Sequence, residues 1–426
     1  MDRRIEDFVR GLGLDAYLVG GAVRDELLGL DSKDADFVVP GVDYDGLRRA
    51  LEPHGKVEDF EVAGRRIGAR LYPRDKDVRA AAPAGIEFAP PRAERSTGPG
   101  RHDFVIVADP SLSIEDDMAR RDFTVNAIAR RLETGELVDP FDGQTDLENG
   151  VLRAVSQRSF AEDPLRILRG LRLVSQRGLT ADAPTLQQMH DEAANVRLVS
   201  GERLGDELAK LLKGRRPARA LRLARDTGVL TELLPELDPT VQEHTFTVVQ
   251  AAADAGASLA VRLAALLHDS GKATAPVEQH AARGAELADQ ALERLRYPVR
   301  LRGYVVRLIR AHAFHLDDFD ERFARRFLRE HGDELAFDLV THKQADLTGK
   351  GRADYERAAR RLGELLEQER GQPHSLADLA VDGTDLIELG YSEGPELGRA
   401  LDELLDAVVD DPSLNTREQL LERARR

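Results

Sequence analysis

Strand-length apolar runs crowd the first 108 residues of this 426-residue chain and then stop. YLVG (17–20), DFVV (36–39), RRIGARLY (65–72), GIEFAP (85–90) and DFVIVA (103–108) each have the length and content of a short strand. Between the first two, AVRDELLGL reads as one short helix. From about residue 113 the spacing turns helical, and 200–426 carries leucine-rich helical periodicity with few strand signals. Such a chain is expected to fold as an α/β head, a mixed sheet with flanking helices, followed by an all-α body. Its length and 42% hydrophobic content imply two to four units. The Gly/Pro/Ser segment ERSTGPGR (94–101) reads as a mobile loop, and the charged PRDKDVRAAAPA (73–84) as irregular.

Composition removes several classes of function. No run of eighteen apolar residues occurs, so no membrane span is expected, and MDRRIEDFVRG lacks an apolar core of signal-peptide length. With no cysteine, any metal must sit on His, Asp or Glu, and a cytoplasmic location fits. The net charge of −16 argues against nucleic-acid binding, but residues 151–225 hold fifteen Lys/Arg against eight Asp/Glu. That local excess can grip a phosphate backbone, and it can equally be a solvated helical surface.

Gly20-Gly21 closes a strand and opens a helix, yet neither GxxxxGK[ST] nor GxGxxG is present. Bare backbone at that turn can approach a triphosphate, and Arg24, one turn into the helix, can reach the same phosphates. Asp34 and Asp36 stand two apart at the start of a strand, so both carboxylates point to one face and can hold Mg2+ beside a phosphate. A polar turn would give the same letters. Arg166 and Arg169, three apart on a predicted helix, share a face. Arg120 and Arg121 diverge by about 100° on a helix, so one of them is expected to face a ligand. Asp122 and Asn126, four apart, suit orienting roles, with a structural ion pair as the competing reading of Asp122.

LVGGAVRDELLG followed by DADFVV resembles the head motif of the tRNA nucleotidyltransferase and bacterial poly(A) polymerase family. RRDFTVNAIA (120–129), DPFDGQTDLENGVLRAV (139–155) and EDPLRILRGLRL (162–173) resemble its second, third and fourth motifs, in family order. The resemblance implies an α/β nucleotidyltransferase head, then helical neck, body and tail. It implies Mg2+ on Asp34 and Asp36, and favours Arg120 of the arginine pair. It also implies that Asp163 and Arg166 read the Watson–Crick edge of the incoming base, so CTP and ATP are accepted and UTP and GTP refused. Glu87, with Arg92 and Glu94, matches a family pattern and is the expected third acid. Residues 85–101 are expected to supply the flexible loop that CC-adding relatives lack.

Seven of the eleven histidines fall in 244–342. LAALLHDSGK (263–272) resembles the signature of HD-domain phosphohydrolases, with His268 and Asp269 at its centre. His244 and Asp346 suit the upstream His and the distant Asp, His280 and His312 are candidates for a second metal, and Lys272 for a phosphate contact. Imidazole and carboxylate donors together suit Ni2+, Mn2+, Co2+ or Mg2+. A head of this kind joined to an HD domain resembles the multifunctional bacterial CCA-adding enzymes. That resemblance implies CCA addition to tRNA together with phosphatase, 2′-nucleotidase and 2′,3′-cyclic phosphodiesterase activities. The expected division is head 1–150, neck 151–230, HD domain 231–350 and helical tail 351–426, with a homodimer possible. Poly(A) polymerase, a CC- or A-adding enzyme, and an HD phosphohydrolase with an RNA-binding head stay open.

Overall fold

The structure is a computed structural model that describes residues 1–31, 35–62, 65–96, 104–317 and 319–425. Asp34 and most of the segment expected to be a mobile loop (97–101) lie outside the described residues. The chain forms two compact units, Met1–Leu211 with Leu223–Leu233, and Leu212–Arg222 with Leu234–Arg426.

The first unit is built on a seven-stranded mixed sheet. Its strands are β1 (Tyr17–Val19), β2 (Asp36–Val38), β3 (Gly55–Val62), β4 (Arg65–Pro73), β5 (Ile86–Ala89), β8 (Ala129–Arg131) and β9 (Leu137–Val138), in the order β3-β4-β5-β2-β1-β8-β9. Only β2 and β5 run parallel, and their register sets Asp36 opposite Glu87 and Phe37 opposite Phe88. Side chains alternate along a strand, so the acids share one face while Phe37 and Phe88 stack on the other, in the core. Helix Gly21–Leu27 follows β1, as expected.

Several elements differ from the sequence reading. β3 has charged letters because it is a sheet edge with Lys56, Glu58 and Asp59 exposed, where charge discourages edge pairing. DFVIVA is a strand, β7 (Phe104–Ala108), but it pairs with β6 (Arg92–Ser96) in a separate two-stranded sheet. Residues 85–101 are therefore not one loop, since 86–89 and 92–96 are strands. Within 73–84 the charges form a helix, Lys76–Ala81, whose N-cap Asp75 accepts from the N–H groups of Asp77 (2.9 Å) and Val78 (3.1 Å). β8 and β9 lie beyond residue 113, where only helix was expected; at three and two residues they are too short to show periodicity.

Helix Leu165–Arg177 begins where Glu162-Asp163-Pro164 predicts. The Asp163 carboxylate accepts from the Leu165 N–H at 3.1 Å, and Gly178 closes the helix at φ 73°.

The second unit is helical throughout its described residues. Helix Leu259–Leu267 is buried from Ala260 to Leu267, which explains why its sequence is apolar except at Arg262, whose guanidinium donates to the carbonyls of Ala257 (2.9 Å) and Leu212 (2.7 Å). Helices Gln242–Asp254, His280–Arg294, Val299–Ala311 and Asp333–Gly349 belong to the same unit. The tail, unreadable in sequence, has a small core of Val381, Leu386, Leu404, Val408 and Leu420. No helix among the described residues is long and apolar enough to cross a membrane.

Candidate functional sites

One cavity of about 1070 Å3 in the first unit is lined by residues from the first, second and fourth of the motif segments, together with Glu87 and Arg92; the third, 139–155, does not reach it. Its floor is the acidic face of the sheet. Asp36 and Glu87 face each other across β2 and β5, and Arg70 on β4 is paired with the Glu87 carboxylate. Gly20 opens the turn above, at φ 72°, where a Cβ would lie 2.7 Å from the Arg121 guanidinium. Only glycine allows both that backbone angle and that approach.

Arg24 is buried. Its Nε donates to Asp25 Oδ1 (2.9 Å) and its Nη1 to Asn126 Oδ1 (2.6 Å). Asn126 Nδ2 donates to Asp122 Oδ1 (2.9 Å), and Arg169 Nε donates to Asp122 Oδ2 (2.6 Å). Asp122 and Asn126 thus orient two arginines. Burial would raise the Asp122 carboxyl, but the Arg169 guanidinium, with the N–H donors of Asn126 and Phe123, holds it down to about 2.

Arg120 and Arg121 both line the cavity, which corrects the expectation that only one would. Helix Ile114–Ala119 ends before them, so the 100° divergence of helical neighbours does not apply. Beneath both sits Asp117, unnoticed in sequence, paired with Arg120 Nε (3.3 Å) and Arg121 Nη2 (3.1 Å). The i, i+3 and i, i+4 spacing in DMARR was the available signal. Burial pushes the Asp117 carboxyl up; Arg121, Arg120 and Arg92 outweigh it and keep it low.

Asp163 and Arg166 line the same cavity, each with protein partners. Arg166 donates to the Arg120 carbonyl (2.7 Å) and to Ser159 Oγ (3.2 Å), and Asp163 accepts from Arg203 (3.1 Å). Arg203 also was missed; it stands forty residues away with no motif around it.

The second unit brings the histidines together. His244 on Gln242–Asp254, His268 just after Leu259–Leu267, and Asp346 on Asp333–Gly349 hold ligand atoms within 4.8 Å of one another. Asp269, His280 and His312 form a second such group. His244 Nε2 lies 3.0 Å from Asp346 Oδ1, and His268 Nε2 lies 3.3 Å from Asp269 Oδ2. Lys272 pairs with Asp269 at 2.7 Å and Lys350 with Asp346 at 2.6 Å. Gly271 makes this closeness possible, because a Cβ there would strike the His280 carbonyl at 2.2 Å.

The donor chemistry fits a divalent cation. His280 and His312 each turn Nδ1 to a backbone carbonyl, of Val277 and Ile309, so in the neutral rings Nε2 carries the lone pair. Those two Nε2 atoms face each other at 3.4 Å, an arrangement of two acceptors that needs a proton or cation between them. Burial, with the charge of His268, drives His312 down to about 3, so it stays neutral as a ligand must. Burial also disfavours the His268 imidazolium, but Asp269 and Asp346 outweigh it and push His268 up to about 9; as a ligand it would give up that proton to the cation. Both carboxylates are held far below their usual range, with His268 opposing the effect of burial at Asp269 and His244 at Asp346. His342, fully buried between the rings of His268 (5.0 Å) and His312 (5.6 Å), has no hydrogen-bond partner on either nitrogen. It stands outside the motifs of the sequence, so no local pattern announces it.

Three family models match the chain. The poly(A) polymerase head domain matches residues 16–153, the probable RNA and SrmB-binding site of polymerase A matches 178–240, and the HD domain matches 241–345. The multifunctional CCA protein of Xanthomonas euvesicatoria pv. vesicatoria is 35% identical over 92% of this chain and 97% of its own. That of Ralstonia nicotianae is 37% identical over 74% of this chain and 76% of its own. The CCA-adding enzyme of Bacillus stearothermophilus, solved in complex with CTP, is 27% identical, covers 99% of this chain and 96% of its own, and superposes with a TM-score of 0.73. A Thermotoga maritima CCA-adding enzyme solved with tRNA has the same fold at 22% identity, covering 99% of this chain and 93% of its own, with a TM-score of 0.64. With its sheet-borne acids, its Leu165–Arg177 helix and its histidine cluster on one chain, the protein belongs to the tRNA nucleotidyltransferase and poly(A) polymerase family, in the multifunctional CCA branch that carries an HD domain.

Proposed function

We propose that the chain adds C, C and A to tRNA 3′ ends from CTP and ATP, with nucleotidyl transfer in residues 1–150, base and tRNA contacts in 151–230, phosphoester hydrolysis in 231–350 and a helical tail in 351–426. The observation that carries the first activity is the head cavity, which sheet acids, glycine turn, Arg24, the Arg120–Arg121 pair and the Asp163–Arg166 segment all line. Asp36 and Glu87, with Asp34, would hold Mg2+, which supplies charge stabilisation for the attacking hydroxyl and the leaving pyrophosphate. Gly20 and Gly21 let the backbone approach the triphosphate, and Arg24, Arg120, Arg121 and Arg169 meet its charge. Asp163 accepts from the exocyclic amine that C and A share, and Arg166 donates to their ring acceptors, each contact giving roughly 1–3 kcal/mol of discrimination against U and G. To do so both side chains exchange a protein partner for the base. CTP in the structural relative supports the nucleotide, and the activity in its name the reaction. This reading keeps the enzyme with the tRNA pool of the cytoplasm.

The facing imidazoles favour a second activity, a metal-dependent phosphohydrolase. His244, His268, Asp269 and Asp346, with His280 and His312, would hold one or two divalent cations from the set Ni2+, Mn2+, Co2+ and Mg2+, which supply Lewis acidity and an activated nucleophile. Lys272 brings positive charge to a phosphoester. Phosphatase, 2′-nucleotidase and 2′,3′-cyclic phosphodiesterase substrates are the ones to assay.

Labelled CTP and ATP offered with tRNA ending before CCA, with tRNA ending in CC, and with oligo(A) test the first activity. The expected products are CCA, a single A, and no extension. A-tails on oligo(A) would mean poly(A) polymerase, and a stop after CC a partial enzyme.

A further inference from the structure

We propose that Asp25 and Arg177 are positioning residues for nucleotidyl transfer, and that Arg177 acts as a remote counter-ion that keeps the charge of Arg24 available to a triphosphate. The inference rests on the nucleotidyltransferase reading of the head.

Six side chains, two of them on the Leu165–Arg177 helix, form a closed circuit. Arg177 Nη2 donates to Asp25 Oδ2 at 2.7 Å. Asp25 Oδ1 accepts from Arg24 Nε at 2.9 Å and lies 2.8 Å from Arg24 Nη2. Arg24 Nη1 donates to Asn126 (2.6 Å), Asn126 to Asp122 (2.9 Å), and Arg169 closes the path on Asp122 (2.6 Å). Arg169 and Arg177 stand at two points of one helix, eight residues or about 12 Å apart. The helix that carries Arg166 therefore holds the Gly21–Leu27 helix at two points, directly through Arg177 and Asp25, and through Arg169 by way of Asp122 and Asn126.

All three guanidinium nitrogens of Arg24 are engaged, which fixes the plane it presents to the cavity. Arg24, Asp25, Asn126 and Asp122 are each buried to 7% exposure or less, so their charges act at low dielectric. The circuit holds three arginines and two aspartates, a balance of +1. Without Arg177 the balance is zero, and Asp25 answers to Arg24 alone. The Arg24 charge is then spent on its neighbour in the chain. Arg177 lies outside the motifs read in sequence, and its partner Asp25 is 152 positions away, so no local pattern announces the pair.

Charge balance separates this role from that of a structural clamp. Arg177→Met is expected to raise KM for both CTP and ATP by about tenfold with a smaller change in kcat, since ground-state binding is what is lost. Arg177→Lys should restore most of it. Asp25→Asn placed in the Arg177→Met background returns the balance to +1, and is expected to bring KM back toward wild type. Melting midpoints and circular dichroism of each variant report folding. A simple clamp predicts the reverse order, with the double variant worse than either single one. Unchanged nucleotide KM in Arg177→Met, or no recovery in the folded double variant, overturns the inference. A wild-type protein that incorporates no nucleotide refutes the head reading instead.

Discussion

Asp122 is 5% exposed and is bonded to Arg169, Asn126 and the Phe123 N–H. Its carboxyl lies at about 2, below the ordinary unfolded value of about 3.9. A depressed carboxyl stabilises the fold fully above the unfolded value, and that stability drains away as the pH falls through the folded one. Asp122→Asn removes the titrating group. The stability gap between wild type and variant, from urea midpoints, is expected to hold steady from pH 8 to 5 and to shrink by roughly 2 kcal/mol on acidification toward pH 2. A gap that stays constant through that range would mean Asp122 carries no perturbed charge.

Helix Glu321–His331 ties the tail to its unit through arginines. Arg325, 9% exposed, donates to the Val409 carbonyl and pairs with Glu369 at 2.7 Å, while Arg329 reaches Asp402 and Asp406. Arg325→Ala leaves Glu369 without that partner and is expected to cost roughly 3–5 kcal/mol. Hydrogen exchange should then accelerate in Pro395–Asp410; unchanged protection there would show the contact to be dispensable. Nothing in the sequence marks this anchor, because the partners of Arg325 stand 44 and 84 residues away from it, one is a backbone carbonyl, and Arg325 and Glu369 read as solvated charge. The same reason hid Arg203 and Arg177. Legible elements were those whose signal is local: the Gly20–Gly21 turn, the β2 and β5 strands, the Pro164 helix start and the His268-Asp269 doublet. β3 was lost because an edge strand is charged, and β8 and β9 because two or three residues carry no period. The adjacency of Asp36 and Glu87 depends on a parallel pairing across fifty residues, which no spacing along the chain reveals.

At the scale of the whole molecule, the chain carries its two sets of chemical groups in two separately packed units, the head cavity in one and the histidine cluster in the other. Each set has its own donors: carboxylates on a sheet with arginines around them, and imidazoles with carboxylates among helices. The net charge of −16 coexists with an excess of seven Lys/Arg over residues 151–225, a local balance opposite in sign to that of the whole chain. Since the two sites share no residue, loss of one should leave the other intact. The most direct measurement assays Asp36→Ala and Asp269→Ala side by side, for labelled CTP and ATP incorporation into tRNA and for metal-dependent phosphate release. Asp36→Ala is expected to lose at least about a hundredfold in incorporation and keep phosphate release, and Asp269→Ala to do the opposite. Incorporation that survives Asp36→Ala in a folded protein would contradict the assignment of the head cavity as the site of nucleotidyl transfer.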